Sequence, residues 1–424
     1  MAGTGKLTKQ EIVAFDDMVE GFEEALVYTQ AAKVYPLPSG RVALRGNDTI
    51  WRPMPKQIIS QEGLNQKGNF VTPTELAAPV SVDRNRSVPF SVHPSELRDE
   101  SAMKEWGDSA KITLASKVND ALRREAAFYS SIVDVRAGAP TGFRDVATMK
   151  AKLDRLGVRG TNRMGFYSST AMIDMADNLA SRQNLIGKTA TAYEEAYVNR
   201  IAGVSIHEDD SPVWLSASTV TGATIAAANQ RHIPTATKKN EVNGNQTNVD
   251  NRSMMLTVAK TSGTWKVGDA FTIAGVYAVH DKNKTNTGDL KTFRVIGVES
   301  DSRIEVVPAI VAANHPAATA SEQAYQNVSD TPANGAAITM LNKRDTAVNT
   351  LFVKDALEIV PSTLGLDPRD GWYTTKARLS NGLEVYYSRQ GDIDDLSIKC
   401  RYDVVFGTAL LNPEMGGIQL FEQG

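Results

Sequence analysis

SELRDESAMKEWGDSAKITLASKVNDALRREAAFYSSIV, residues 95–133, decides the fold. Met103, Trp106, Ala110, Leu114, Val118, Ala121 and Leu122 keep helical spacing, and Phe128, Tyr129, Ile132 and Val133 continue it. One apolar face at that period predicts a helix over the whole stretch. Ser95, after Pro94, is the expected cap, and Glu96, Asp99 and Glu100 suit the positive end of the helix. Gly107 is the one weak position, at about 1 kcal/mol relative to alanine. At 1.5 Å per residue such a helix runs roughly 55 Å, long enough to serve as a spine.

The segment before it, 36–94, reads in the opposite way. Prolines stand at 36, 38, 53, 55, 73, 79, 89 and 94, with short extended runs such as Thr49-Ile50-Trp51 between them. No helix fits. A long two-stranded excursion does, turning near Gly63 and Gly68. A helix-free stretch of that length usually means a functional arm or loop. Upstream, Ile12, Phe15, Val19, Phe22, Leu26 and Val27 recur at three- and four-residue steps. Asp16, Asp17, Glu20, Glu23 and Glu24 fill the other face. This predicts an acidic amphipathic helix over 7–34, ended by Tyr35-Pro36.

Downstream, 134–215 reads as mixed α/β. Helices are expected over 143–156, 170–179 and 193–203, with a strand at 164–168. The character changes near residue 220. Short β-prone runs at 254–259, 270–279, 292–298, 303–311 and 336–341 are separated by turns such as Val267-Gly268-Asp269, and predict a small all-β barrel or sandwich. Asn243-Gly244-Asn245 is a turn signal ahead of them. Strand-like runs at 351–360, 383–388 and 398–405 restore the mixed character. A β module between two mixed segments indicates an insertion. The expected organisation is α+β: arm 1–35, extended loop and adjoining strands 36–94, spine helix 95–133, mixed domain 134–220, inserted β barrel 221–344 and mixed return 345–424.

The chain has 424 residues, 46 basic and 49 acidic, for a net charge of −3. That balance argues against a dedicated nucleic-acid binder, which needs a basic excess to neutralise phosphates. Cys400 is the single cysteine, so no intramolecular disulfide can form. The first residues lack the apolar run of a secretory signal, and no stretch approaches the roughly 18 apolar residues of a membrane span. No membrane association is expected.

Motifs that would carry chemistry are weak. Gly3-Thr4-Gly5-Lys6-Leu7-Thr8 resembles the end of a P-loop but lacks the upstream glycine and strand that aim its amides at phosphate. Ser101-Ala102-Met103-Lys104 matches the S-x-x-K of acyl-serine enzymes without the partner motifs. His207-Glu208-Asp209-Asp210 has the right atoms for a metal but no further ligands at suitable spacing, so a solvated acidic turn is expected. Asp392, Asp394 and Asp395 read as a loop, and Cys400 as a core thiol. No catalytic, metal or cofactor site is expected.

The order of elements resembles the major capsid fold of tailed phages and herpesviruses, the Hong Kong 97 type. More closely, the chain resembles the coat proteins of short-tailed phages of enteric bacteria that carry an inserted domain. The resemblance rests on Thr49-Ile50-Trp51-Arg52-Pro53, Glu96-Leu97-Arg98-Asp99-Glu100, Tyr193-Glu194-Glu195-Ala196-Tyr197 and Asn248-Val249-Asp250-Asn251-Arg252. Ala274-Gly275-Val276, Gln323-Ala324-Tyr325, Asn342 to Asp345 and Gln390-Gly391-Asp392-Ile393 complete it.

The resemblance implies a structural subunit and no enzyme. It forms pentamers and hexamers with itself around a scaffolding protein in the host cytoplasm. The procapsid carries a portal protein at one vertex and expands as double-stranded DNA is packaged; the mature location is the virion. It implies an inner arm that binds scaffolding protein through acidic side chains, with Asp16 and Asp17 the nearest candidates. It also implies a loop of the inserted domain that crosses to a neighbouring capsomer, where Lys238, Lys239 and Glu241 stand. Independently, an isolated hairpin is marginal, so the extended loop needs a neighbour to lie on. Arg41, Arg45 and Arg52 are candidates to meet Asp99, Glu100 and Glu105 on that neighbour's spine, each surface pair worth at most about 1 kcal/mol. The alternatives from other classes are a virion-associated hydrolase and a tail or adhesin component.

Overall fold

The structure, a computed structural model, describes residues 7, 9–35, 48–67, 70–96, 99–158, 160, 162–180, 200–239, 244–364, 373–392, 394 and 397–424. They divide into two compact units. The first comprises Met1–Ile50, Pro79–Arg123 and Leu357–Ala409; the second comprises Trp51–Ala78, Arg124–Ala356 and Leu410–Gly424. Helix makes up 24% and strand 38%, largely in separate segments, which defines an α+β chain.

In the first unit, helix α1 (Lys9–Ala25) and the short α2 (Val27–Ala31) lie against a sheet. The sheet runs Lys33–Val34, Leu357–Pro361, Ile398–Leu410, Glu384–Gly391 and Tyr373–Arg378, and Arg84–Val92 also pairs with Ile398–Leu410. Alternation along Ile398–Leu410 turns Cys400, Tyr402, Val404 and Phe406 to one face, all buried. Phe15, Met18 and Phe22, one helical stripe of α1, are buried as well. The Phe15 and Tyr402 rings stack at 6.4 Å. The expected single helix over 7–34 is interrupted: Leu26 leaves helical geometry at φ −87° and ψ 64°, which starts α2.

The spine helix α3 spans Glu100–Tyr129, 30 residues. Its first 24 residues belong to the first unit and its last six to the second. Both ends fall inside the expected range. Asp99, not Ser95, caps it: its Oδ1 accepts from the Ser101 backbone N–H at 3.0 Å and from the Ser101 hydroxyl at 2.7 Å. At the other end Ile132–Val135 is a strand parallel to Gly416–Leu420, so Ile132 and Val133 leave the helix for a sheet. Gly107, weak by propensity, lies where α1 crosses. A Cβ there would stand 3.4 Å from the Ala14 carbonyl oxygen and 3.6 Å from Met18 Cβ. Those are ordinary contact distances, so a methyl would fit between the two helices without displacing them.

The second unit holds two six-stranded sheets besides two-stranded pairs. One is mixed: Ile132–Val135, Gly416–Leu420, Asn349–Val353, Arg163–Ser168, Val204–Asp209 and Arg200–Ile201. Helices α4 (Phe143–Arg155) and α5 (Ser169–Ala180) belong with it, and Val146, Met149, Leu153, Met172 and Met175 share its core. Gly417 is tightly packed there: a Cβ would fall 2.9 Å from the Ile132 carbonyl oxygen, besides meeting the movable Met149 methyl. The expected helix over 193–203 lies mostly outside the described residues. Its described end is a hairpin, Arg200–Ile201 on Val204–Asp209, because Gly203 takes φ +84° and reverses the chain. His207 to Asp209 belong to that strand rather than to a turn, with Asp209 buried. The run at 351–360 is two strands, Asn349–Val353 and Leu357–Pro361, parted by a 3-10 turn at Lys354–Ala356.

The other sheet is antiparallel: Thr224–Ile225, Met254–Ala259, Arg303–Val307, Asn286–Ser300, Ala270–Val279 and Ile338–Met340. It closes on itself. Thr224 bridges Ala337, the Ile225 N–H donates to the Ala336 carbonyl at 2.9 Å, and the Ile338 N–H donates to Ala223 at 2.9 Å. A six-stranded barrel results, and closure removes exposed sheet edges. Leu256, Phe271, Ile273, Phe293, Val295, Ile304 and Val306 fill its interior with no exposure. A two-stranded hairpin, Thr237–Lys239 on Gln246–Asn248, follows its first strand, and the six strand residues are exposed.

Candidate assembly surfaces

The arm, the extended loop and the hairpin carry the charged residues that the sequence singled out. On α1, Asp16 and Asp17 are exposed. Asp17 faces Lys104 of α3 across 3.5 Å, a half-exposed pair, while Asp16 points to solvent. The arm is anchored by a residue that periodicity did not mark. Glu11 is buried, and its Oε1 accepts from Arg389 Nη1 at 2.8 Å and from the Tyr387 hydroxyl at 3.2 Å. Burial pushes the Tyr387 phenol well above its ordinary range, aided by Cys400 and Glu11, so the hydroxyl stays a donor.

Along the extended loop, Asp48–Pro53 pairs with Ala77–Val82, and the Met54 N–H donates to the Leu76 carbonyl at 2.8 Å. Beyond that the two limbs have no strand. Ile58 is 79% exposed, Leu64 106%, Phe70 90% and Val71 61%. Gly63, at φ +91°, makes the turn expected of it. Arg52 is half-buried on its strand; Arg41 and Arg45 lie outside the described residues. On the spine, Asp99 is occupied as a cap, and its two Ser101 hydrogen bonds hold its carboxyl below the usual range. Glu105 is exposed, and Glu100 opens the helix. Lys238 and Lys239 stand on the exposed hairpin; Glu241 lies outside the described residues.

The described residues of the motifs weighed for catalysis are engaged elsewhere, while Gly3, Thr4, Gly5, Lys6, Thr8 and Asp395 lie outside the described residues. Ser101 donates to Asp99, and Lys104 faces Asp17. His207 stacks on Phe166 at 5.2 Å, and burial lowers its pKa. Asp392 pairs with Lys399. Cys400 is buried, and burial raises its thiol pKa, which disfavours the reactive thiolate. Among the described residues no group of three or more His, Cys, Asp or Glu could hold a metal, and no helix is long and apolar enough to cross a membrane.

A family model described as "P22 coat protein - gene protein 5" matches residues 1–422. The fold is that of a phage major capsid protein of the Hong Kong 97 type, a structural protein and not an enzyme. The chain belongs to the P22 coat protein family. Among solved structures it is similar to the capsid protein of Ralstonia phage GP4, at 8% identity over 92% of this chain and 87% of that one, TM-score 0.43. It is also similar to that of cyanophage P-SCSP1u, at 10% identity over 93% and 88%, TM-score 0.42. The coat protein I-domain of CUS-3 aligns over all of its own length and 30% of this chain, at 35% identity and TM-score 0.23.

Proposed function

We propose that this chain is the coat subunit of a short-tailed phage of enteric bacteria. It co-assembles with a scaffolding protein, in the host cytoplasm, into an icosahedral procapsid with a portal at one vertex. Packaging of double-stranded DNA then expands the shell. The observation that supports this most is the extended loop. Leu64 and Phe70 stand in solvent on a segment with no strand partner of its own. Exposed apolar groups on an arm mark an association surface, and a second copy of the chain is the partner that a shell supplies.

Within this reading, 1–35 is the scaffolding-binding arm, 36–94 holds the loop laid on a neighbour and the strands that adjoin it, and 95–133 is the spine that receives the loop. Segments 134–220 and 345–424 form the capsomer domains, and 221–344 is the insertion. Asp16 and Asp17 contact scaffolding protein. Arg41, Arg45 and Arg52 meet Asp99, Glu100 and Glu105 of a neighbour. Lys238, Lys239 and Glu241 reach across to another capsomer. The net charge of −3 suits a shell that contains DNA through weak, non-specific contact.

Electron microscopy of cells expressing the chain with its scaffolding protein tests this. Uniform closed shells are expected; only small soluble oligomers, despite confirmed co-expression, would overturn it. In the same assay Asp16→Ala with Asp17→Ala should reduce scaffolding co-sedimentation of a folded subunit. Deletion of 238–247 should disturb closure.

A further inference from the structure

The extended loop and the inserted barrel meet within the second unit, on both limbs of the loop. Helix α6 (Ala320–Tyr325) follows the barrel strand Arg303–Val307 and ends in Tyr325. The Tyr325 hydroxyl donates to the Thr74 carbonyl at 2.8 Å, on the returning limb of the loop. Gln57 holds the outgoing limb.

Two barrel residues hold the Gln57 side chain. Its amide donates to the Asp281 carboxylate, and its Oε1 accepts from Lys284 Nζ at 3.3 Å. Lys284 is fixed in turn on the Gln326 carbonyl at 3.2 Å. The limbs are tied to each other just below, by Lys56 with Glu75 and by Met54 with Leu76. Above, Ile59, Val71 and Thr72 line a groove whose other wall is Ala320, Ser321 and Ala324 of α6; this cavity holds about 100 Å³. From Ser60 to Asn65 every residue is exposed.

We propose that the inserted barrel is a bracket for the extended loop: Tyr325, Asp281 and Lys284 hold residues 54–59 and 74–76 in place in the unassembled subunit, and leave the apolar tip free. The consequence is preorganisation. A free two-limbed excursion samples many directions, and docking it on a second copy costs the entropy of choosing one. Fixing the base removes much of that cost before any neighbour arrives. The advantage of the bracket for assembly rests on the proposed function; the bracket itself does not.

Trypsin distinguishes the two. Lys56 lies inside the bracketed base, and Lys67 lies on the tip. The full-length chain is kept too dilute to assemble, and the rates of cleavage after each lysine are measured. Lys67 should be cut fast and Lys56 slowly. Tyr325→Phe combined with Gln57→Ala should speed cleavage at Lys56 by roughly tenfold, since each lost hydrogen bond is worth about two- to tenfold, and leave Lys67 unchanged. Asp281→Asn alone, which keeps an acceptor for the Gln57 amide, should have less effect. An unchanged far-ultraviolet spectrum shows that the barrel still folds. Equal cleavage at both lysines in the parent chain, or no change at Lys56 in the double variant, would overturn the bracket. Absence of shells with the parent chain would overturn the capsid reading and leave these rates untouched.

Discussion

The inserted barrel and the extended loop are bounded by the same residue types, short β-prone runs with Gly and Pro between them, yet their outcomes are opposite. In the barrel, Phe271 and Phe293 are fully buried and their rings lie 5.7 Å apart. The six strands close, so each finds two neighbours. In the loop, Leu64 and Phe70 stand in solvent, and among the described residues no strand joins the limbs beyond Met54. A module that closes on itself can be inserted without disturbing its host. A segment that cannot close is stable only where something else completes it.

Substitutions can break this comparison. The largest effect on subunit stability should come from Phe271→Ala, which leaves a cavity in the barrel core and costs about 3–5 kcal/mol. Urea unfolding followed by a barrel-specific probe reads it, and a loss under about 1 kcal/mol would mean that the barrel does not depend on its own core. Next is Glu11→Gln. It leaves Arg389 beside a neutral amide in a buried pair and should cost about 3 kcal/mol in the first unit. Release of the arm, seen as faster proteolysis of residues 9–25, should accompany it.

A smaller effect concerns pH. Glu322 is fully buried, and burial works against its charge. Hydrogen bonds from the Thr319 amide and hydroxyl, Arg231 and His315 outweigh that and hold its carboxyl below the usual range. A depressed folded-state pKa stabilises above the unfolded value, near 4.3, and the gain is lost as pH falls through the folded value. Glu322→Gln should therefore lower the barrel's unfolding free energy by about 1.5–3 kcal/mol near neutrality, with the difference shrinking below about pH 4. A constant difference from pH 7 to 3 would contradict this. Smallest of all, Leu64→Ser should change subunit stability by less than about 0.5 kcal/mol, because the side chain is already in water. Its effect should appear only in shell assembly.

Some of this was legible before any coordinates. The strands at 254–259 and 270–279 stand at their expected bounds, because β-prone runs set between turn residues are a local signal. The spine was legible as an element but not at its ends. Ser131-Ile132-Val133 continues the helical spacing, and only the distant strand Gly416–Leu420 draws it into a sheet. Asp99 and Ser95 both have capping chemistry, and sequence alone does not choose between them. The anchor of the arm was not legible at all: Glu11 and Arg389 are 378 residues apart, and Glu11 looks like any other acidic residue of α1. Tyr325 entered only as part of a resemblance. Its role depends on a loop 251 residues earlier in the chain.

The most direct measurement is hydrogen exchange on free subunits and on assembled shells of the same chain. The account predicts that protection gained on assembly concentrates in residues 54–76, with little change in the barrel strands Met254–Ala259, Ala270–Val279 and Arg303–Val307. A loop that exchanges equally fast in shells and in free subunits, or a barrel that gains as much protection as the loop, would contradict it.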